Sequence, residues 1–268
     1  MTKVKALIIT GFGLNCQNET AVAFETAGAT ADQIHLNDLL ENKDRLHDYQ
    51  ILAFIGGFSF GDHMGAGTVF SNRVKNQLSE QLQKFVADGK LVVGICNGFQ
   101  TITRLGLVPA TGDLFEQEVA LAFNKQEVFR DSWCTLKAET ESPCIWTKGI
   151  DMLPLPYRHG EGRFCVKDET VLKRLEDENL ICLRYADPET ESVSMEFPHN
   201  PNGSINSIAG ICDRTGRIFG LMPHPEAYLS PFNHPHWINQ KINNVLPSEG
   251  LGLQLFRNAV NYAAANLL

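Results

Sequence analysis

Residues 90–106 read KLVVGICNGFQTITRLG. An apolar run, Leu91 to Ile95, stops at a lone cysteine with Gly94 before it and Gly98 after it. A helical pattern, NGFQTITRL, starts within two residues. The stretch therefore predicts a buried strand, an abrupt corner at Cys96 and a helix. A residue at such a corner is often held in a sparsely populated backbone conformation. Small neighbours leave room for the crossing backbone, as at the G-x-S-x-G elbow. Cys96 would sit at a helix N-terminus, where unpaired N–H groups and the helix dipole favour a thiolate. The N–H of Asn97 could hold an oxyanion there. A core cysteine ahead of a helix is the plain alternative, so the reading needs a base from elsewhere in the chain.

The most constrained histidine is in GLMPHPE, residues 220–226. Pro223 and Pro225 fix their own φ angles and bias the residues before them toward extended structure. His224 is thus expected to be extended, with Glu226, two residues on, pointing the same way and orienting its ring. Cys96, His224 and Glu226 would supply nucleophile, base and orienter. A rigid turn carrying an ordinary histidine is the alternative for HPE alone.

Other clusters carry less. His234 and His236 form an H-x-H with no acidic or cysteine residue beside them, so a metal site is not expected. GFGLNC follows a strand but lacks the third glycine of a dinucleotide fingerprint. GGFSFGDHMGAG has no G-K-[ST] and is not a phosphate-binding loop of the Walker kind, although its glycines could bring backbone N–H groups close to a ligand. The seven cysteines are widely scattered with no C-x-x-C pair, which argues against a disulfide framework and a zinc cage. Most read as small buried hydrophobes.

Acidic residues outnumber basic ones by 31 to 23, and no dense basic run appears, so nucleic acid and anionic membranes are not expected partners. The apolar run near the start is too short for a signal peptide, and no run is long enough for a membrane helix. The cytoplasm is the expected location.

Along the chain, VKALIIT, DQIHL, YQILAFIGG and KLVVGI read as strands that alternate with helices at ETAVAFETAG, at TVFSNRVKNQLSEQLQKFVADG (68–89, with Gly89 as the stop) and at 97–105. In the long second helix, Phe70, Val74, Leu78, Leu82 and Phe85 make one apolar face. Apolar strands alternating with helices indicate an α/β fold, a mostly parallel sheet covered on both faces by helices. The second half adds strands at EVFRDSWCTLKAE, LICLRYA, SVSMEF and SIAGICDRTGRIFGLM, the last a hairpin turning at Asp213 to Gly216. It also adds helices at 168–179 and at the C-terminus. With no repeat and no linker, residues 1–268 are expected to form a single domain, with 227–250 as an extended loop before the last helix.

GICNGFQ with MPHPE resembles the triad-type glutamine amidotransferases. GGFSFGDHMGAG, CNGFQ, RHGEGRF, NPNGSINSIAGI and GLMPHPE, in that order, resemble the glutaminase subunits of phosphoribosylformylglycinamidine synthases, over about residues 4 to 226. The resemblance implies a flavodoxin-like architecture with an added antiparallel part. It implies Cys96 as nucleophile, His224 as base and Glu226 as its partner. It places the oxyanion loop on Gly56, Gly57 and Phe58, with the Asn97 N–H as second donor, and Gln100, His159 and Gly160 in the glutamine pocket. It implies no metal or cofactor in this chain, and ATP and magnesium on a partner. That partner is a synthetase subunit that converts formylglycinamide ribonucleotide to the amidine with ammonia from glutamine, and a small third subunit bridges the two. Ile55, where relatives often have proline, the SFGD replacing SYGD, and the long 227–250 segment depart from the pattern. An amidotransferase of another pathway, a cysteine hydrolase on the same elbow, and an inactive scaffold are the rival readings.

Overall fold

The structure, a computed structural model, describes residues 3–268. Twelve strands form in chain order: β1 (Lys5–Thr10), β2 (Thr30–His35), β3 (Ile51–Phe54), β4 (Leu91–Ile95), β5 (Val119–Phe123), β6 (Arg130–Ala138), β7 (Met152–His159), β8 (Glu161–Val166), β9 (Ile181–Asp187), β10 (Ser192–Val193), β11 (Ile208–Cys212) and β12 (Ile218–Leu221). The helices are α1 (Gln17–Thr26), α2 (Leu36–Glu41), α3 (Thr68–Ala87), α4 (Asn97–Leu105), α5 (Glu169–Asp177), α6 (Trp237–Ile242) and α7 (Leu253–Asn266).

One ten-stranded sheet runs in the order β2-β1-β3-β4-β12-β11-β9-β6-β7, with β10 paired to β9, while β5 and β8 form a separate two-stranded ladder. The half from β2 to β12 is parallel. From β12 onward each pairing is antiparallel, so the antiparallel part continues the same sheet. The parallel strands β3 and β4 are buried at every residue, which is why their sequences show no alternation. β7 alternates half-buried and buried residues, and two of its half-buried positions are prolines, Pro154 and Pro156.

The apolar face read for α3 is buried at each of its five positions, and Gly89 follows the helix with φ +77°. The hairpin β11–β12 turns where expected, the Gly216 N–H bonding the Asp213 carbonyl at 2.9 Å. SVSMEF, expected as a strand, pairs only through Ser192 and Val193. The 227–250 segment contains α6 and a short 3-10 turn at Pro231–Asn233.

The chain order of strands reverses direction across β1 and β3. In open α/β sheets ligands collect at the carboxyl ends of strands near such a point. Here the loops leaving β1, β3, β4 and β12 at their carboxyl ends all meet in one place.

Candidate active site

Cys96 follows β4 directly and has φ 52° and ψ −108°, a conformation that side chains other than glycine rarely hold. The corner is fixed on both sides. The Cys96 N–H bonds the Leu221 carbonyl of β12 at 2.9 Å, and the Cys96 carbonyl accepts the Gln100 N–H at 3.0 Å, opening α4. The flanking glycines are needed for contact. A Cβ on Gly98 would run into the Phe54 carbonyl of β3, and one on Gly94 would lie 2.7 Å from the Gly98 carbonyl oxygen. The first turn of α4 can press on the sheet only without them.

His224 leaves the end of β12, its N–H bonded to the Pro156 carbonyl of β7 at 2.8 Å. Its backbone is extended, as expected. Glu226 is not: Pro225, Glu226 and Ala227 form a 3-10 turn with proline at its start, where a missing N–H costs nothing. The turn still brings the two side chains together, with His224 Nδ1 and Glu226 Oε1 2.5 Å apart and both residues 2% exposed. Nδ1–H therefore donates to the carboxylate, and Nε2 is left buried without a partner. Burial alone would lower the imidazole pKa. The Glu226 charge, followed by Cys96 and Cys16, overrides it and holds the pKa well above the usual histidine value.

Gly56 and Gly57 follow β3. A Cβ on Gly56 would lie 2.8 Å from His224 Cε1 and 3.0 Å from Cys16 Sγ, so this glycine makes room for the ring. Gly57 has φ +144° and pairs with Leu14 in an isolated bridge. The Phe58 N–H is taken by the Gly13 carbonyl at 3.0 Å. The N–H groups of Gly57 and Asn97 make no hydrogen bond among the described residues, which leaves these two as donors for a ligand.

Two cavities meet at Cys96, sharing Gly57, Phe58, Phe129 and Arg158. The larger, about 340 Å³, reaches His224, Cys16, Asn15 and Glu19. The smaller, about 130 Å³, reaches Gln100, His159, Gly160, Glu161 and Asp62. Gln100 is committed to protein contacts: its Nε2 donates to the Glu161 carbonyl at 2.5 Å and its Oε1 accepts from Asn97 Nδ2 at 3.0 Å. It ties α4 to β8 and so shapes the cavity wall. His159 Nδ1 lies 3.1 Å from Asn124 Oδ1, and its Nε2 is buried without a partner. Burial, then the nearby His224 charge, lowers the His159 pKa to about 3, so this ring is neutral at ordinary pH. Burial raises the Asp62 carboxyl to about 6 despite a bond from Asn97 Nδ2 at 3.1 Å.

The NPNGS motif supports this wall without touching it. Asn202 Nδ2 donates to the Gly162 carbonyl at 2.8 Å, and Ser204 Oγ accepts the Phe164 N–H at 2.9 Å, both on β8.

Sequence reasoning missed Cys16 and Asn15. Cys16 Sγ is 4.0 Å from His224 Nδ1 and 3.5 Å from Asn15 Oδ1, with its pKa raised chiefly by burial. GFGLNC was weighed only as a nucleotide fingerprint. Nothing in the sequence says that β1 borders the reversal in strand order, which is what places this loop at the site.

The fold and the site define an α/β protein with a cysteine on a strained strand-to-helix corner at a cavity, a buried histidine–carboxylate pair beside it and two unpaired N–H groups on the adjoining loops. The chain belongs to the family of CobB/CobQ-like glutamine amidotransferase domains, whose sequence profile matches residues 3–263. It is 45% identical to the phosphoribosylformylglycinamidine synthase subunit PurQ of Methanococcus maripaludis strain S2, over 96% of this chain and 97% of that one. It is 41% identical to the subunit of the same name from Dehalococcoides mccartyi, over 98% and 99%. Among solved structures it resembles a chain of PurLQS from Thermotoga maritima, with TM-score 0.69 and 26% identity over 97% of this chain and 99% of that one. A glutamine amidotransferase from Thermotoga maritima shares the fold, with TM-score 0.56 and 14% identity over 98% of each chain.

Proposed function

We propose that this chain is the glutaminase subunit of a phosphoribosylformylglycinamidine synthase. It hydrolyses glutamine to glutamate and ammonia and passes the ammonia to a synthetase subunit, which makes the amidine of formylglycinamide ribonucleotide. The chemistry rests on one observation: the carboxyl ends of β3, β4 and β12 bring Gly57, Cys96 and His224 to one cavity, with Glu226 bonded behind the His224 ring and the unpaired Asn97 N–H directly after Cys96. The pathway rests on the subunits of that name that match the chain over nearly its whole length.

Cys96, as thiolate, attacks the side-chain carboxamide of glutamine bound in the smaller cavity beside His159 and Gly160. The oxyanion accepts hydrogen bonds from the Gly57 and Asn97 N–H groups, each worth about 3 kcal/mol in the barrier. Protonated His224 gives its Nε2 proton to the departing ammonia, and Glu226 holds the ring so that Nε2 faces the reaction. A γ-glutamyl thioester stays on Cys96. His224, now neutral, takes a proton from water, whose oxygen attacks the thioester carbonyl and releases glutamate and the thiolate. Gly56 and Phe58 shape the loop, and Gln100 braces it.

No metal or cofactor takes part in these steps. ATP and magnesium belong to the synthetase subunit, and a small third subunit joins the two. Phe58, Phe123 and Phe129 lie exposed on the cavity wall, as a docking face for such a partner requires. We read the chain as one domain, because a single sheet takes strands from Lys5 through Leu221. The cytoplasm is its proposed location; among the described residues no helix is long and apolar enough to cross a membrane.

The test is glutamate release from glutamine by the chain with its synthetase partner, in wild type and Cys96→Ala. Loss in the variant supports the assignment, and survival removes it.

A further inference from the structure

Cys144, Cys182 and Cys212 are far apart in sequence, yet their Sγ atoms lie within 4.8 Å of one another. Each is 0–1% exposed and none is in a disulfide. Cys182 is on β9, Cys212 ends β11, and Cys144 is in the loop joining β6 to β7. Cys212 pairs with Phe219, which pairs with Val93 in β4. Cys212 is therefore level with the middle of β4, whereas Cys96 stands beyond its carboxyl end. None of the three lines the cavities at Cys96.

We propose that Cys144, Cys182 and Cys212, with the Ser142 hydroxyl, form a binding site for one thiophilic divalent cation of the zinc type. Three small hydrophobes would fill this space without a polar group. Here Ser142 Oγ is placed on two of the sulfurs, 3.6 Å from Cys182 Sγ and 3.7 Å from Cys212 Sγ. A tetrahedral zinc with Zn–S near 2.3 Å and Zn–O near 2.0 Å spaces its sulfurs about 3.8 Å apart and its oxygen about 3.5 Å from each sulfur. The two hydroxyl distances already match the edges of that tetrahedron. Closing sulfurs from 4.8 Å to the tetrahedral spacing moves each by only about half an ångström.

Three of the four donors are soft sulfurs and none is a carboxylate, which selects against magnesium or calcium. Three thiolates on a dication leave one net negative charge, less than the same thiolates would leave on a monovalent ion. Binding breaks three S–H bonds, forms three Zn–S bonds and releases three protons to solvent. The route in is the β6–β7 loop itself. It bears Cys144 and Ser142, and Thr140 and Glu141 on it are exposed. The ion would pin that loop to the sheet and stabilise the fold without entering the glutaminase reaction.

The test uses the reduced full-length chain with Cys16→Ser, which removes the other sulfur–imidazole–carboxylate group, Cys16, His224 and Glu226. After chelation it is titrated anaerobically with Co²⁺ and then Zn²⁺. The expected result is one equivalent of cobalt with sulfur-to-cobalt charge-transfer absorption and tetrahedral bands. Zinc should bleach these and raise the melting temperature. Adding Cys144→Ala should abolish the bands, weaken binding at least 100-fold and remove the melting shift. Cys144→Ala alone should leave glutamate release by the complex unchanged. If that variant does not fold, Cys212→Ser is read in its place. No sulfur–cobalt absorption at one equivalent, or bands that persist when one of these cysteines is replaced, would overturn the proposal.

Discussion

His224 and Glu226 meet at 2.5 Å where both residues are almost wholly buried, so the imidazolium is held by a carboxylate that water screens little. Burial opposes the charged ring, and the carboxylate wins. Glu226→Gln should lower the rate of glutamate release by up to roughly 10⁴-fold, the loss seen when a serine-protease triad exchanges its orienting carboxylate for an amide. It should also move the alkaline limb of kcat/KM to lower pH, because the imidazolium loses its support. The stability linkage has a definite sign. A pKa raised on folding contributes fully below the unfolded histidine value of about 6.5 and is lost as pH rises through the folded value. The melting difference between wild type and Glu226→Gln should therefore shrink at high pH.

The backbone at Cys96 predicts a separation of stability from activity. A side chain at φ 52°, ψ −108° costs about 1–3 kcal/mol, which glycine would not incur. Glycine also loses more freedom on folding, roughly 0.4–1 kcal/mol. Cys96→Gly should thus be about 1 kcal/mol more stable than Cys96→Ala in denaturant unfolding, with both inactive. A Cys96→Gly protein clearly less stable than Cys96→Ala would mean that the corner is not strained.

His159 predicts an acid weakness. Its pKa falls to about 3 in the fold, first through burial and then through the His224 charge. A base whose pKa is depressed stabilises the fold above its unfolded value of about 6.5, and that contribution is lost as pH falls toward the folded value. At pH 4 this single group costs roughly 3 kcal/mol relative to neutral pH. His159→Gln should flatten the stability profile between pH 6.5 and pH 4, followed by urea unfolding.

Gly56 tests positioning by sterics alone. Its backbone is not in the left-handed region, so alanine is tolerated locally, but the new Cβ would sit 2.8 Å from His224 Cε1. The ring must move. A displacement near 1 Å at a catalytic group can cost about 10²-fold in rate. Gly56→Ala should lower kcat by about that factor while glutamine still binds.

The elbow was legible because its demands are local: an apolar strand, a corner and small flanking residues all lie within eight positions. The His224–Glu226 pairing was legible for a reason that proved incomplete. Pro225 starts a 3-10 turn, and the two side chains meet across that turn instead of along a strand. Strands β5, β7 and β8 were not read from sequence. β7 carries Pro154 and Pro156, which mask it, and β5 and β8 pair only with each other. Cys16 and the triplet Cys144, Cys182 and Cys212 were invisible for a different reason. Their neighbours are set by strand order, and spacing along the chain does not report that.

The most direct measurement of the central claim is mass mapping after labelling with 6-diazo-5-oxo-L-norleucine, a reactive glutamine analogue. The account predicts one adduct per chain, on the peptide containing Cys96, blocked by glutamine and absent from Cys96→Ala. An adduct on Cys16 or any other residue with Cys96 unmodified, or equal labelling of Cys96→Ala, would contradict it.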